Sequence, residues 1–394
     1  MPPKITRVRW SASSIPWGVS FNEETGIFSG TPDDAGEYIV PVTVETNYGK
    51  DTKDVIISVA EKVHWEKVQV IADNNGLILS ADTPVLYKSY NSSLITRRYS
   101  PNGGYYSYYG GQNFTNWSTL TYNSSKDIEY SDSNTYLYNI YGVVQISLNL
   151  YYFLGKNAYS KIIVVVNGKR NFITPPYTTI DWRAGVYSSA NNAILFISKN
   201  GVAVKLKSPT ASSPINCDEQ YSSIGYGTET NPNCAAWSTV VKKYCVSATG
   251  NIVATSSDGD TWELGSAPDN LLELEFRSDL GKFFARGENT KLFYVSEDGL
   301  NWTQYNSMPI PLSTVKSVAY SSAYGYCAVG LSNDGAFNYS AHSADLENWT
   351  FKKIDTENIE LTNVVYAGGS INSFVAAPKS GGNFLYRLKG TKAL

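Results

Sequence analysis

The chain has 394 residues, of which 42% are hydrophobic and 17% charged, and a formal net charge of −3. That length exceeds what one core supports, so two or more domains are expected. The near-neutral balance, with no basic block, argues against a nucleic-acid partner, and no apolar run of about 18 residues marks a membrane span. Tyr (30), Phe (14) and Trp (9) stand beside 31 Gly, with only 2 Met and 2 His, which is the composition of an all-β chain. The start, Met1-Pro2-Pro3-Lys4, lacks an apolar stretch, so no secretory signal is expected.

Residues 1–61 read as a first unit. Alternating apolar residues at 38–46 and 55–59 predict strands, separated by Gly-containing turns. Ahead of them runs Pro16, Gly18, Phe21, then Thr25-Gly26-Ile27-Phe28-Ser29-Gly30-Thr31-Pro32, then Gly36 and Tyr38. This pattern resembles the short immunoglobulin-like repeat of bacterial and phage surface proteins, in which Gly-x-Ile-x-Gly-Thr-Pro precedes Gly-x-Tyr. The resemblance implies a sandwich that serves as a spacer or docking module. Its first strand looks shortened, which leaves an open edge of the kind that invites pairing. A short link, Glu61 to His64, carries neither Gly nor Pro and predicts a fairly fixed junction.

From residue 62 to 394 the chain repeats itself. Weak echoes of one turn pattern occur at Ser89-Tyr90-Asn91, Tyr141-Gly142, Asn167-Gly168 and Ser198-Lys199-Asn200-Gly201. Two stretches do not fit the repeat and read as long inter-strand insertions, the kind of segment that often carries function. Residues 99–117 hold Tyr105, Tyr106, Tyr108, Tyr109 and Trp117, whose rings and hydroxyls suit contact with a sugar or a protein. Residues 208–236 hold Cys217 and Cys234, which bracket a polar loop and are candidates for a disulfide. Cys245 and Cys327 lie in strand-like runs and read as buried free thiols.

Three strong copies of the turn follow. They are Ser256-x-Asp258-Gly259-x-x-Trp262, Ser296-x-Asp298-Gly299-x-x-Trp302 and Ser343-x-Asp345-Leu346-x-x-Trp349, at intervals of 40 and 47 residues. Each sits between two extended runs and so predicts a hairpin. Ser and Asp can accept hydrogen bonds from turn N–H groups, Gly allows a positive φ, and Trp buries area beneath the turn. The residues therefore read as fold-formers. The last unit, Leu361–Tyr366, Ser373–Ala377 and Asn383–Arg387, has three strands and lacks a fourth. About 330 repeating residues at roughly 40–50 per four-stranded unit give about seven units.

The three copies resemble Asp-boxes, the hairpin turns of sialidase-like β-propellers. The resemblance implies an Asp-box β-propeller of about seven blades, with each box between the third and fourth strands of its blade, on the outer rim and away from the centre. It says little about activity, because the box occurs in glycosidases, receptors, assembly factors and adhesins.

Catalysis finds little support in the residues. The sialidase Arg-Ile-Pro motif is absent, and nothing in the spacing of Arg97, Arg98, Arg170, Arg183, Arg277, Arg286 and Arg387 joins them. His64 and His342 are isolated, no His/Cys metal spacing occurs and no cofactor loop is present, so neither metal nor cofactor is expected. Two glycosidase carboxylates remain conceivable. The sequence reads best as a non-enzymatic bacteriophage virion protein of the tail or another surface appendage, made in the host cytoplasm and oligomeric in the particle. Its expected partners are other virion proteins and a host-surface glycan or protein. The alternatives are a sialidase-like hydrolase and an intracellular propeller scaffold.

Overall fold

The structure, a computed structural model, describes residues 7–59 apart from 17 and 31–35. It further describes the strand segments 64–69, 86–87, 94–100, 105–111, 117–119, 139–147, 150–156, 162–166 and 169–173. From 181 to 389 it describes all but 211–218, 228–229, 289–291, 308–311, 333–334, 336–337, 355–359, 369–370 and 380–383. Every regular element among these residues is a β-strand. The chain divides into two compact units, Met1–Glu66 with Leu388–Leu394, and Lys67–Arg387.

In the first unit, strands β1 (Val8–Ala12), β4 (Gly36–Thr46) and β5 (Gly49–Val59) form an antiparallel sheet in the order β1-β4-β5. A separate hairpin joins β2 (Val19–Asn22) to β3 (Ile27–Gly30). Asn22 forms that hairpin's turn: its Oδ1 accepts the N–H groups of Glu24 and Thr25, each at 2.9 Å. Gly26 follows at φ 69°, a conformation that favours glycine, and a Cβ there would crowd the Trp10 ring at 3.0 Å. Phe21 and Phe28, paired across the hairpin, place their rings 4.7 Å apart at a tilt of 50°. The strand β5 begins at Gly49, earlier than the apolar alternation predicts, because the two-residue turn Asn47-Tyr48 pairs Thr46 directly with Gly49.

The second unit is built from four-stranded sheets, of which seven occur among the described residues, six of them antiparallel and of consecutive strands. Sheet one holds Leu86–Tyr87, Leu94–Ser100, Tyr105–Gly111 and Trp117–Thr119; sheet two holds Asn139–Ser147, Leu150–Lys156, Ile162–Val166 and Lys169–Ile173. Sheet three holds Trp182–Ser188, Ala193–Ser198, Val202–Lys207 and Glu219–Ser223; sheet four holds Pro232–Trp237, Tyr244–Ala248, Ile252–Ser256 and Glu263–Ser266. Sheet five holds Leu271–Arg277, Lys282–Gly287, Leu292–Ser296 and Thr303–Ser307; sheet six holds Leu312–Ser321, Gly325–Ser332, Asn338–Ser343 and Thr350–Ile354. Sheet seven holds Leu361–Ala367, Ser373–Pro378 and Phe384–Lys389, and its fourth strand is β6 (His64–Gln69), from the far end of the chain. That strand supplies what the last repeat lacks.

Sheets two to six pack face to face in chain order, and the side-chain period of two explains how. In the second strand of sheet three, Ile194 and Phe196 join a core with Tyr152 and Val164 of sheet two. Leu195 and Ile197 point the other way and pack with Tyr244 and Val246 of sheet four. Phe283 and Phe284 divide the same way between sheets four and six. A strand covered on both faces needs apolar residues at every position, so these inner strands read as unbroken runs. Polar side chains join sheets six and seven: Leu361 N–H donates to Asn338 Oδ1 at 2.9 Å, and Ser317 Oγ to the Val364 carbonyl at 3.4 Å.

The expected insertions are corrected here. Residues 94–100 and 105–111 are paired strands, with Arg97 opposite Tyr108 and Tyr99 opposite Tyr106, so the Tyr-rich stretch is part of sheet one. Pro232–Trp237 likewise opens sheet four, and Cys234 lies within it. The turn at Lys199–Gly201 joins second to third strands of its sheet, unlike the strong copies that it echoes, and Gly142 lies inside a strand at a bulge.

Candidate functional site

The three Ser-x-Asp turns share one set of hydrogen bonds, and all join third to fourth strands. In the second copy, Ser296 Oγ donates to Asp298 Oδ1 at 3.0 Å and accepts the Gly299 N–H at 2.8 Å. Asp298 Oδ1 also accepts the N–H groups of Leu300 and Asn301, both at 2.8 Å. Ser256 with Asp258 and Ser343 with Asp345 repeat the pattern at 2.8–3.0 Å. Burial pushes the Asp298 carboxyl upward, but hydrogen bonds from Asn301, Leu300 and Ser296 outweigh it and hold it down to about 2. Asp258 is lowered chiefly by the Thr261 N–H, and Asp345 chiefly by the Asn348 N–H.

Each turn also docks on the preceding sheet. Gly299, at φ 84°, sits so close to sheet four that a Cβ there would meet Thr255 Cγ2 at 2.7 Å. Gly259 faces Leu195 and Lys205 of sheet three, and the Lys205 ammonium donates to the Asp258 carbonyl at 2.7 Å and pairs with Asp260. In the third copy Leu346 takes the same left-handed conformation, φ 66°, and its side chain is fully buried against sheet five. The strain of that conformation, about 1–2 kcal/mol, is offset by burying the isobutyl group, roughly 2 kcal/mol. Trp302 Nε1 and Trp349 Nε1 donate to the carbonyls of Gly299 and Leu346, both at 2.9 Å, and the Trp349 ring stacks on Phe293. Trp262 differs, donating to Ser222 Oγ of sheet three at 3.4 Å. The carboxylates are thus spent inside their own turns. No group of three His, Cys, Asp or Glu suited to a metal occurs among the described residues.

Of the expected ligand residues, Tyr105, Tyr106, Tyr108 and Tyr109 belong to one strand of sheet one, and Trp117 opens the strand paired to it, opposite Gly111. Their side chains lie outside the described residues. Cys217 also lies outside them; the Cys234 thiol donates to the Leu272 carbonyl at 2.6 Å. Cys245 and Cys327 are fully buried free thiols, and burial pushes both upward.

The structure adds a surface that the sequence reading missed. Turns between first and second strands set Tyr beside Asn in sheets three and seven and bond to Tyr244 and Tyr324 of the neighbouring sheets. Tyr187 OH donates to Asn192 Oδ1 at 3.1 Å, and Asn191 Nδ2 reaches Tyr244 OH of the next sheet at 3.4 Å. Tyr326 OH donates to Asp279 of the preceding sheet at 2.9 Å. Tyr366 OH donates to Asn372 Oδ1 at 2.6 Å while Asn372 Nδ2 donates to Tyr324 OH at 2.8 Å, so one amide joins sheets six and seven. The rings of Tyr324 and Tyr366 lie 5.9 Å apart, both half-buried, with Asn372 exposed between them. Arg277 lies 3.2 Å over the ring of Tyr320. A signal existed: Phe276, Tyr320 and Tyr366 each stand next to last in a first strand, at intervals of 44 and 46 residues.

The starts of the first strands carry a different chemistry. The first strands of sheets three to seven bulge immediately after their first residue. Around these bulges Asp181 pairs with Arg183 at 3.1 Å, Asn233 Nδ2 donates to Asn270 Oδ1 at 2.9 Å, and Tyr294 OH donates to Asp269 at 3.3 Å. Glu360 binds Lys316 and Lys379 at 2.7 and 2.6 Å; burial raises its carboxyl, but the two ammonium groups outweigh that and lower it. Glu273 accepts from Arg286 Nε at 3.1 Å and from the Val318 N–H of the next sheet at 3.3 Å. Asp269, Glu273 and Glu360 thus join strands or sheets, while Asp181 pairs with Arg183 of the strand that it precedes.

Residues 2–60 match the family model described as "Putative Ig domain", and the first unit is immunoglobulin-like. No curated protein matches the sequence. Among solved structures, a structural genomics protein of unknown function from Bacteroides thetaiotaomicron VPI-5482 aligns over 97% of this chain and 90% of its own at 7% identity, with a TM-score of 0.46. Raptor from Chaetomium thermophilum aligns over 80% of this chain at 8% identity, with a TM-score of 0.50, and this chain spans 29% of that one.

Proposed function

We propose that the chain is a non-enzymatic attachment protein of a bacteriophage particle, its immunoglobulin-like unit docking to the particle and its second unit binding a host-surface glycan. The second unit is an Asp-box β-propeller of seven blades, ring-closed by β6. The observation that carries the binding role is the cluster of Tyr324, Tyr366 and Asn372, a pairing of Tyr with turn Asn that Tyr187 and Asn192 repeat in sheet three. There, half-buried aromatic rings are held by hydrogen bonds to exposed amides on short turns. A face of rings with amides at its edge suits a sugar, whose apolar C–H face stacks while its hydroxyls find donors and acceptors. Rigid presentation lowers the entropic cost of binding. The Tyr105–Tyr109 strand with Trp117 is the second candidate contact. The non-enzymatic reading is supported by the carboxylates, which the turns and ion pairs occupy.

The test is a pair of variants assayed on intact bacterial cells and a glycan panel. Tyr324→Ser with Tyr366→Ser should lose saturable binding roughly tenfold or more at an unchanged fold. Asp298→Ala should keep it. Binding that survives the first and fails in the second contradicts the assignment.

A further inference from the structure

The first unit leaves one sheet edge open. Its sheet ends at β5, and residues 47–56 are all exposed. Antiparallel pairing with β4 turns alternate backbone groups of β5 inward and outward. Gly49, Asp51, Lys53 and Val55 face β4, so Lys50, Thr52, Asp54 and Ile56 present N–H and C=O groups to solvent. The Thr52 N–H shows this directly, since it donates to the carboxylate of its neighbour Asp51, at 3.0 Å.

Charge on this edge follows a rule. Lys50-Asp51-Thr52-Lys53-Asp54 is its own complement when reversed. Run antiparallel to itself about Thr52, it sets Lys50 against Asp54 and Asp51 against Lys53, with Thr52 on the axis. Both members of the Lys50–Asp54 pair have outward backbone groups, as a hydrogen-bonded pair requires. Centring the pairing on Lys53 or Asp54 instead opposes like charges. Edge charges ordinarily block pairing with unrelated strands; these complement a copy of their own strand in the register centred on Thr52. The same register brings Tyr48, 57% exposed, beside Ile56, 65% exposed, which itself pairs with Ile39, 61% exposed.

We propose that two copies of this chain join through β5 about a two-fold axis at Thr52, giving one continuous sheet of six strands. Lys50 then faces the partner's Asp54, Asp51 faces the partner's Lys53, and Tyr48 covers the partner's Ile56. Pairing at residues 50, 52 and 54 supplies about six backbone hydrogen bonds. The proposal is independent of the ligand of the second unit.

The experiment is sedimentation of the full chain over a concentration series, for the unaltered protein and two charge variants. Lys50→Asp with Lys53→Asp makes the edge wholly acidic, and Asp51→Lys with Asp54→Lys makes it wholly basic. Both changes are on an exposed strand, and circular dichroism checks that the fold is kept. The expected result is a dimer for the unaltered chain, a monomer for each variant alone, and a dimer again in their equimolar mixture. An unaltered chain that stays monomeric overturns the proposal. So does a dimer indifferent to either variant, or a mixture that fails to associate.

Discussion

Asp298 illustrates a carboxylate engaged by the hairpin that carries it. Its Oδ1 accepts one hydroxyl and two N–H groups of the same turn. Removing it with Asp298→Ala should cost about 1–3 kcal/mol, because those donors lose their acceptor; urea denaturation measures it. Trp302→Ala should cost about 3–5 kcal/mol, as the ring is only 7% exposed. The two glycines should differ. Gly299→Ala forces a Cβ against Thr255 and Cys245, whereas Gly259→Ala meets Leu195 and the flexible stem of Lys205, so the first should be the more damaging. Equal midpoints for the two would contradict the docking of these turns on the preceding sheet.

His342 supplies a pH test. It is buried, its Nδ1 has no partner, and burial lowers it to about 4 from 6.5. Between those values the unfolded chain binds a proton that the folded chain refuses. Stability from this residue is therefore complete above about pH 6.5 and lost as pH falls through 4, a change of about 3 kcal/mol. Thermal melts from pH 7 to 4 should show it, and His342→Gln should flatten that part of the curve. Asp298, held near 2, acts only at lower pH.

At the scale of elements, legibility followed burial. Strands covered on both faces, such as Ala193–Ser198 and Ser373–Pro378, announce themselves as apolar runs. The first half of β5 did not, since an exposed edge of Lys, Asp and Thr has no apolar alternation to read. The strand Tyr105–Gly111 reads in sequence as an insertion because Gly and Ser between tyrosines imitate loop composition. The turns were legible where side chains make the bonds, at Ser296 and Asp298. They were illegible at Asn192 and Asn372, where a left-handed Asn has no distinctive neighbours in sequence. No local signal could assign β6 to sheet seven, because its partner strand lies about 320 residues away along the chain. A chain beginning at residue 62 should keep sheet seven whole, whereas one beginning at 71 should expose the edge of Phe384–Lys389 and aggregate. Light scattering of the two truncations distinguishes them, and equal solubility would contradict the role given to β6.

For the whole molecule, the three strong motifs speak to architecture, and the proposed function depends on surfaces that they do not touch. Composition points to the all-β class and repetition to the unit size. The candidate binding cluster became visible only when the turns of successive sheets were brought together, since Tyr324 and Asn372 are 48 residues apart. The most direct measurement is binding of the purified chain to intact bacterial cells and surface glycans, with released sugar followed in the same wells. The account predicts saturable binding without product. Release of product at a rate that scales with protein would contradict it and move attention to the carboxylates around Asp181, Asp269 and Glu360.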